Sequence, residues 1–262
     1  MSSISLVQNS SGTASMVDGT TSRVICNFDP SSGFDDGTIQ FVTFKDDFLG
    51  DVISDQWNAT QGSDGQGAIA AIVAGAHGGI VRLTSGDAGT GTAADGSVLA
   101  HALNWIPANG GLFMEALIRC NTSVANICLN VGFTDTIALE MPISLSGTTL
   151  TTNATDAAVF VFDTAATTDV FNVQGVKNNT DTALTAATGA LAPVADTLVR
   201  LGVAIDTSGT ATFYHNGVMV GQVANAVTAS VALTPVIAYE TRTTTVKVVD
   251  VDYVRVGALR AA

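Results

Sequence analysis

Charge is what this sequence has least of. Only 13% of its 262 residues are Asp, Glu, Lys or Arg, against a usual quarter or so. Lysine is confined to positions 45, 177 and 247, and glutamate to 115, 140 and 240. Surface helices lean on those residue types, so their scarcity argues against a helical protein. The balance is acidic, with a formal net charge of −13 and no basic cluster. That argues against a nucleic-acid partner and favours solubility at high local concentration.

Three cysteines are too few, and odd in number, for a disulfide framework. Cys120 and Cys128 flank what reads as a hairpin, "FMEALIRC-NTSVA-NICLNVGF". In the first arm Met114, Ala116, Ile118 and Cys120 share a face. In the second, Ile127, Leu129, Val131 and Phe133 share one, leaving Cys128 on the other. With both apolar faces turned to the core, the two thiols point apart and cannot bond, so all three cysteines are expected free. Long hydrophobic runs are also missing: "GAIAAIVAGAHGGIV" is short and broken by glycine, too short to span a bilayer. The start, "MSSISLVQNSSG", has neither a basic stretch nor an apolar core, so no export signal is expected.

What the chain has in quantity is Thr, Ala, Gly, Ser and Val, residues suited to pleated strands and tight turns. From Phe41 onward, segments such as "GIVRLTSG", "SVLAHALNW", "DAAVFVFDT" and "VFNVQGVKN" are separated by turn signals every 8–12 residues. In "TLVRLGVAID", Val199, Leu201, Val203 and Ile205 alternate with Arg200, Gly202, Ala204 and Asp206. In "ATFYHNGVMVGQV", the Asn216-Gly217 pair is a strong hairpin signal, because a type I′ turn needs positive φ at both central positions. About a dozen such strands predict an all-β, two-sheet antiparallel sandwich over residues 41–262. Residues 1–40 differ. They hold one plausible strand, Arg23 to Phe28, and too little apolar surface to fold alone. They are read as an extended N-terminal arm that docks on a neighbouring subunit or capsid protein, with Leu6, Val7, Val24 and Phe28 as its contact residues; the alternative is an arm packed on its own domain.

Chemistry-bearing patterns are scarce. Asp250 and Asp252 are the late acidic residues at alternate positions, the arrangement that paired glycosidase carboxylates would take on one strand. They read better as edge or turn positions. His77, His101 and His215 lie too far apart to form a metal box. Asp35-Asp36, Asp46-Asp47, Asp51 and Asp55 are oxygen donors of the type calcium takes, but read first as solvated turn carboxylates. Trp57 and Trp105 are candidate sugar platforms, and read first as packing residues. No Gly-x-Ser-x-Gly, phosphate-binding loop or dinucleotide fingerprint occurs. This inventory leads to the expectation of a non-enzyme without cofactor or metal.

The run "LVRLGVAIDTSGTATFYHNGVMVGQV", together with the closing "VDVDYVRV", resembles the concanavalin A-like, laminin-G-like jelly roll. The opening "FKDDFLGDVISDQWNATQG" is similar to the way such domains begin in bacteriophage virion structural proteins. The resemblance covers about residues 41–257 and implies a jelly roll. By function it implies a capsid decoration or cement protein on the virion surface, made in the host cytoplasm. It further implies a homotrimer and the major capsid protein as partner. The alternative it leaves open is a lectin-like module that binds a glycan on capsid or tail. Neither nucleic acid nor membrane is expected as a partner.

Overall fold

The computed structural model describes residues 4–8, 14–18, 23–28, 41–61, 69–76, 78–86, 96–121 and 123–259. The chain divides into two units, Met1–Phe41 and Val42–Ala262. In the first, β1 (Ile4–Gln8), β2 (Ala14–Asp18) and β3 (Arg23–Phe28) form an antiparallel meander, with Ile4 opposite Asp18 and Ala14 opposite Phe28. The strand expected at Arg23 to Phe28 is therefore one of three. Leu6 and Val7 fall on β1, Val24 and Phe28 on β3; their side chains lie outside the described residues.

The second unit runs through β4 (Phe41–Asp46), β5 (Asn58–Gln61), β6 (Ile69–Ile72), β7 (Val81–Thr84) and β8 (Gly96–Ala100). A 3-10 turn at Pro107–Asn109 leads into β9 (Leu112–Asn121) and β10 (Ile127–Thr134), then the hairpin β11 (Ile143–Ser146) and β12 (Thr149–Thr152). There follow β13 (Ala157–Asp163), β14 (Asn172–Lys177), β15 (Thr180–Asp181) and β16 (Leu198–Ile205). The chain closes with β17 (Ala211–His215), β18 (Val218–Val223), β19 (Thr234–Thr241) and β20 (Val248–Leu259).

Apart from the β11–β12 hairpin, which pairs only with itself, these strands make two antiparallel sheets. One has seven strands in the order β15-β14-β13-β10-β19-β8-β5. The other has eight, β18-β17-β16-β9-β20-β7-β6 with β4 also paired to β20. The expected two-sheet all-β sandwich is what forms, with more and shorter strands than the turn signals alone predict. Alternation explains the core between the sheets. Val199, Leu201, Val203 and Ile205 of β16 and Met114, Ala116, Ile118 and Cys120 of β9 are buried against Leu129, Val131, Phe133, Phe160 and Phe162. Each Val, Leu, Ile, Met or Phe among them contributes on the order of 1.5–3 kcal/mol. The Asn216-Gly217 turn joins β17 to β18 with φ of 51° and 82°, the positive pair that sequence predicts. It is latched to β16: Asn216 N donates to the Arg200 carbonyl at 2.8 Å, and Arg200 N donates to Asn216 Oδ1 at 2.9 Å.

One expectation is corrected. Residues 113–133 are not a hairpin: β9 pairs with β16 and β20, whereas β10 pairs with β13 and β19. The intervening loop carries the chain from one sheet to the other. Alternation shows which face of a strand is apolar, but two strands with inward apolar faces can sit side by side or on opposite sheets. The thiol prediction survives the correction. Cys120 is buried between the sheets, Cys128 on the outer face of the seven-stranded sheet, and both are free.

The two outer faces differ. On the seven-stranded sheet, Cys128, Val159, Val161, Val236 and Ala238 are covered by a second apolar cluster that includes Met141, Ile143 and Leu145 of the β11–β12 region. Hence β10, β13 and β19 are buried along their whole length. On the eight-stranded sheet, buried and half-buried positions alternate along β7 and β16, and the outward residues there face solvent.

Candidate functional site: the outer face of the eight-stranded sheet

Because β9 turns Met114, Ala116 and Ile118 inward, it turns Phe113, Glu115, Leu117 and Arg119 outward. The same logic places Arg200 and Gly202 of β16, Tyr214 of β17 and Asp250, Tyr253 and Arg255 of β20 on that face. Register assembles them into rows: Tyr214, Gly202, Glu115 and Arg255; Arg200, Leu117 and Tyr253; Leu198, Arg119, Asp250 and Arg82. A bulge between Val251 and Tyr253 restores outward alternation on β20. Without it, Tyr253 and Arg255 would turn into the core.

Two stations of charge result. At the first, Asp250 is buried at 2% exposure. Its Oδ1 accepts from Arg82 Nε at 2.7 Å, and its Oδ2 accepts from Arg82 Nη2 at 3.0 Å, Arg119 Nη2 at 2.8 Å and Asn121 Nδ2 at 3.2 Å. Burial alone would raise its pKa, but the two guanidinium groups outweigh burial and hold the carboxyl below the ordinary Asp value. The hydrogen bond to Asp250 likewise raises the Arg82 pKa, against the opposing effect of burial. Arg119 also lies 3.4 Å from the exposed Asp196.

At the second station, buried Glu115 accepts a hydrogen bond from the Tyr253 hydroxyl at 2.8 Å. Arg255 Nε stands 3.3 Å from Glu115 Oε1, and Arg200 Nε 3.6 Å from Oε2. Neither Nε makes a hydrogen bond. The Arg255 guanidinium lies over the Tyr253 ring, 5.1 Å from its centre. Burial, then the charge of Glu115, pushes the Tyr253 phenol up. The two arginine side chains are 37% and 41% exposed, and the Arg200 guanidinium lies beside Gly217 of the β17–β18 turn. The chemistry on offer is two partly exposed guanidinium groups, a fixed carboxylate and the half-buried rings of Phe113, Tyr214 and Tyr253.

The residues singled out by sequence distribute differently. Asp250 is no edge residue: β20 lies inside the sheet, and Asp250 is the buried centre of an ion-pair group. Asp252 sits at the bulge, half-buried, with its carboxyl pushed up by burial and then by the charge of Asp47. Trp57 and Trp105 are packing residues, 6% and 5% exposed. Trp57 Nε1 donates to Asp46 Oδ2 at 2.8 Å, and its ring meets Phe44, Phe48 and His101. Asp46 Oδ1 accepts from Phe48 N, and Asp47 pairs with Lys45 at 2.7 Å. Burial lowers the pKa of both His101 and His215, which stand against Trp105 and Phe171 respectively. His77, Asp35 and Asp36 lie outside the described residues. Among the described residues no group of three or more His, Cys, Asp or Glu is placed to hold a metal ion.

Sequence reasoning missed a carboxylate pair on the other sheet. Asp163 of β13 and Glu240 of β19 both stand opposite Cys128 of β10, one on each side of it. Arg242 bridges them, with Nη2 2.5 Å from Asp163 and Nη1 2.7 Å from Glu240. Asp163 Oδ2 also accepts from Leu145 N at 2.8 Å, and Asn130 Oδ1 from Ile143 N at 2.9 Å. The pair therefore ties the β11–β12 hairpin down onto the sheet. Partners 77 residues apart in sequence give no signal in a search for acids on one strand.

No family model matches the chain, and no curated protein matches it in sequence. Solved structures do match in fold. A protein of unknown function from Shewanella oneidensis aligns with a TM-score of 0.55 at 13% identity, over 89% of this chain and 92% of its own. The carbohydrate recognition domain of Emp47p aligns at 0.54 and 9% identity, over 86% and 99%. A Bacillus licheniformis β-glucanase aligns at 0.55 and 13% identity, over 81% and 96%. The fold is thus a jelly-roll sandwich shared with these proteins, and the jelly roll that the sequence resemblance implies is what forms. The expectation of a non-enzyme does not stand. Glycoside hydrolases share this fold, so the architecture gives no ground for excluding catalysis.

Proposed function

We propose that the chain is a structural component of a bacteriophage particle, a capsid decoration protein whose sandwich is displayed and whose N-terminal segment attaches. The observation that supports it is the division of the chain: a sandwich from Val42 with its own two-sheet core, and a separate small unit of three short strands before it. Strands of that size are suited to adding backbone pairs to a capsid subunit, with Leu6, Val7, Val24 and Phe28 as apolar anchors. A trimer of weak attachments holds by avidity. Deleting residues 2–40 tests the reading. The truncated protein should keep its melting temperature and lose co-sedimentation with particles. Binding at full occupancy rules out the segment as the anchor, and failure to fold makes it part of the core.

A second reading, a glycan-binding adsorption module, is favoured by one observation: the outer face of the eight-stranded sheet carries half-buried rings beside unsaturated polar groups, the composition of a sugar site. That a carbohydrate recognition domain has this fold is consistent with it. A glycan array probed with the purified protein tests it; no binding to any glycan removes it.

A further inference from the structure

We infer that the outer face of the eight-stranded sheet takes an acidic polysaccharide, bound through Arg200 and Arg255; this rests on the glycan-binding reading. The chain has ten cationic residues and a net charge of −13, yet four of its arginines gather on this face. The Asp250 station is balanced, since Arg82 and Arg119 meet Asp250 and Asp196. The Glu115 station is not: two guanidinium groups face one buried carboxylate, leaving a surplus of one positive charge. Each of the two approaches Glu115 through its Nε, at ion-pair distance, and is more than a third exposed. A guanidinium fork matches a carboxylate or sulfate, which accepts two parallel hydrogen bonds from it.

Arg200 on β16 and Arg255 on β20 flank β9 and converge on Glu115 from its two sides, so a single anionic group of a sugar chain lying across β9 can meet both. Between them the face offers apolar surface for the C–H side of sugar rings. Gly202 puts no side chain outward between Tyr214 and Glu115 in register, and a methyl group there would stand 3.5 Å from both the Phe113 ring and Tyr214. Exposed Met219 and Leu198 extend this surface at the β18 side and at the start of β16. A neutral glycan has no group to match the surplus charge, and poly-glutamate has no ring face to match Tyr214 and Phe113.

Affinity electrophoresis in gels containing polygalacturonate, dextran or poly-glutamate separates the possibilities. Retardation is expected in polygalacturonate alone, weakening as salt is added. Replacing both Arg200 and Arg255 by Gln should weaken it about tenfold or more, since each charge-assisted contact is worth at least that factor. Met219→Glu, at an exposed position that cannot disturb the core, should weaken it in the same direction. Retardation by dextran as strong as by polygalacturonate overturns the acidic specificity and leaves the glycan reading standing. Equal retardation by poly-glutamate overturns the choice of a polysaccharide. Unchanged binding by either variant overturns the site, and no retardation in any gel, with nothing bound on the array, removes the glycan reading itself.

Discussion

Arg82 holds Asp250 with two hydrogen bonds, Nε to Oδ1 at 2.7 Å and Nη2 to Oδ2 at 3.0 Å, and so fastens β7 to β20 across the sheet surface. Fork-to-carboxylate geometry of this kind is the strong form of an ion pair. Because the carboxylate is buried and also serves Arg119, its removal strands two cations. Asp250→Ala should cost about 2–4 kcal/mol in urea unfolding, whereas exposed Asp196→Ala should cost under about 1 kcal/mol.

The same carboxylate sets a pH dependence. Its folded-state pKa lies below the ordinary Asp value of 3.8, so the folded state binds fewer protons there than the unfolded chain. The stabilisation is complete above the unfolded value and is lost as pH falls through the folded one. Wild-type stability should therefore drop below about pH 4, and Asp250→Asn should lose part of that slope. Parallel acid titrations of the two proteins by circular dichroism measure the difference; superimposable curves would contradict the assignment.

The thiols make a chemical prediction. Burial pushes Cys120 up to about 12 and Cys128 well above the ordinary thiol value, so neither supplies thiolate at neutral pH. Iodoacetamide should leave both unlabelled in the native protein and label both in urea, with no cross-linked peptide between them by mass spectrometry. A linked Cys120–Cys128 peptide would require the chain to place both on one face.

Much of this fold is legible because its signals are local. Alternation in Leu198–Ile205 settles which side chains enter the core, and Asn216-Gly217 settles a turn within two residues. What is not legible depends on pairing. Nothing in 113–133 tells whether β9 and β10 are neighbours or lie in different sheets. Nor does sequence bring Arg200, Glu115 and Arg255 together, since three separate strands supply them and only register makes them one station. Asp163, Glu240 and Arg242 are hidden for the same reason. Asp250 reads as an edge or turn residue because nothing near it in sequence announces Arg82 and Arg119, which reach it from β7 and β9.

Gly209 closes the β16–β17 turn with φ of 84°, and a Cβ there would meet the Val227 carbonyl oxygen at 2.2 Å. Backbone cannot yield as a side-chain tip can. Gly209→Ala should cost about 2–4 kcal/mol from left-handed strain and overlap together. Gly75→Ala is the control, with φ of 75° but nothing within 4 Å of the added carbon; it should cost only about 1 kcal/mol. Equal losses in the two variants would show that overlap contributes nothing.

Arg242 carries the last prediction. It is the cation that Asp163 and Glu240, both nearly inaccessible, share beneath the hairpin. Burial by itself would lower its pKa; the hydrogen bond to Asp163 and the charges around it win, and the pKa is raised. Arg242→Met keeps the stem and removes the charge, leaving two buried carboxylates to repel each other across β10. The loss should be about 3–5 kcal/mol, the range for breaking a buried pair from one side. Because Asp163 also holds Leu145 N, the damage should start at the hairpin. Hydrogen exchange should accelerate at residues 143–152 before it accelerates in β10 or β13. Replacing all three, Asp163→Asn, Glu240→Gln and Arg242→Met, removes the uncompensated charge and should recover part of the lost stability. If the triple variant is no more stable than Arg242→Met alone, stranded charge is not what the arginine relieves.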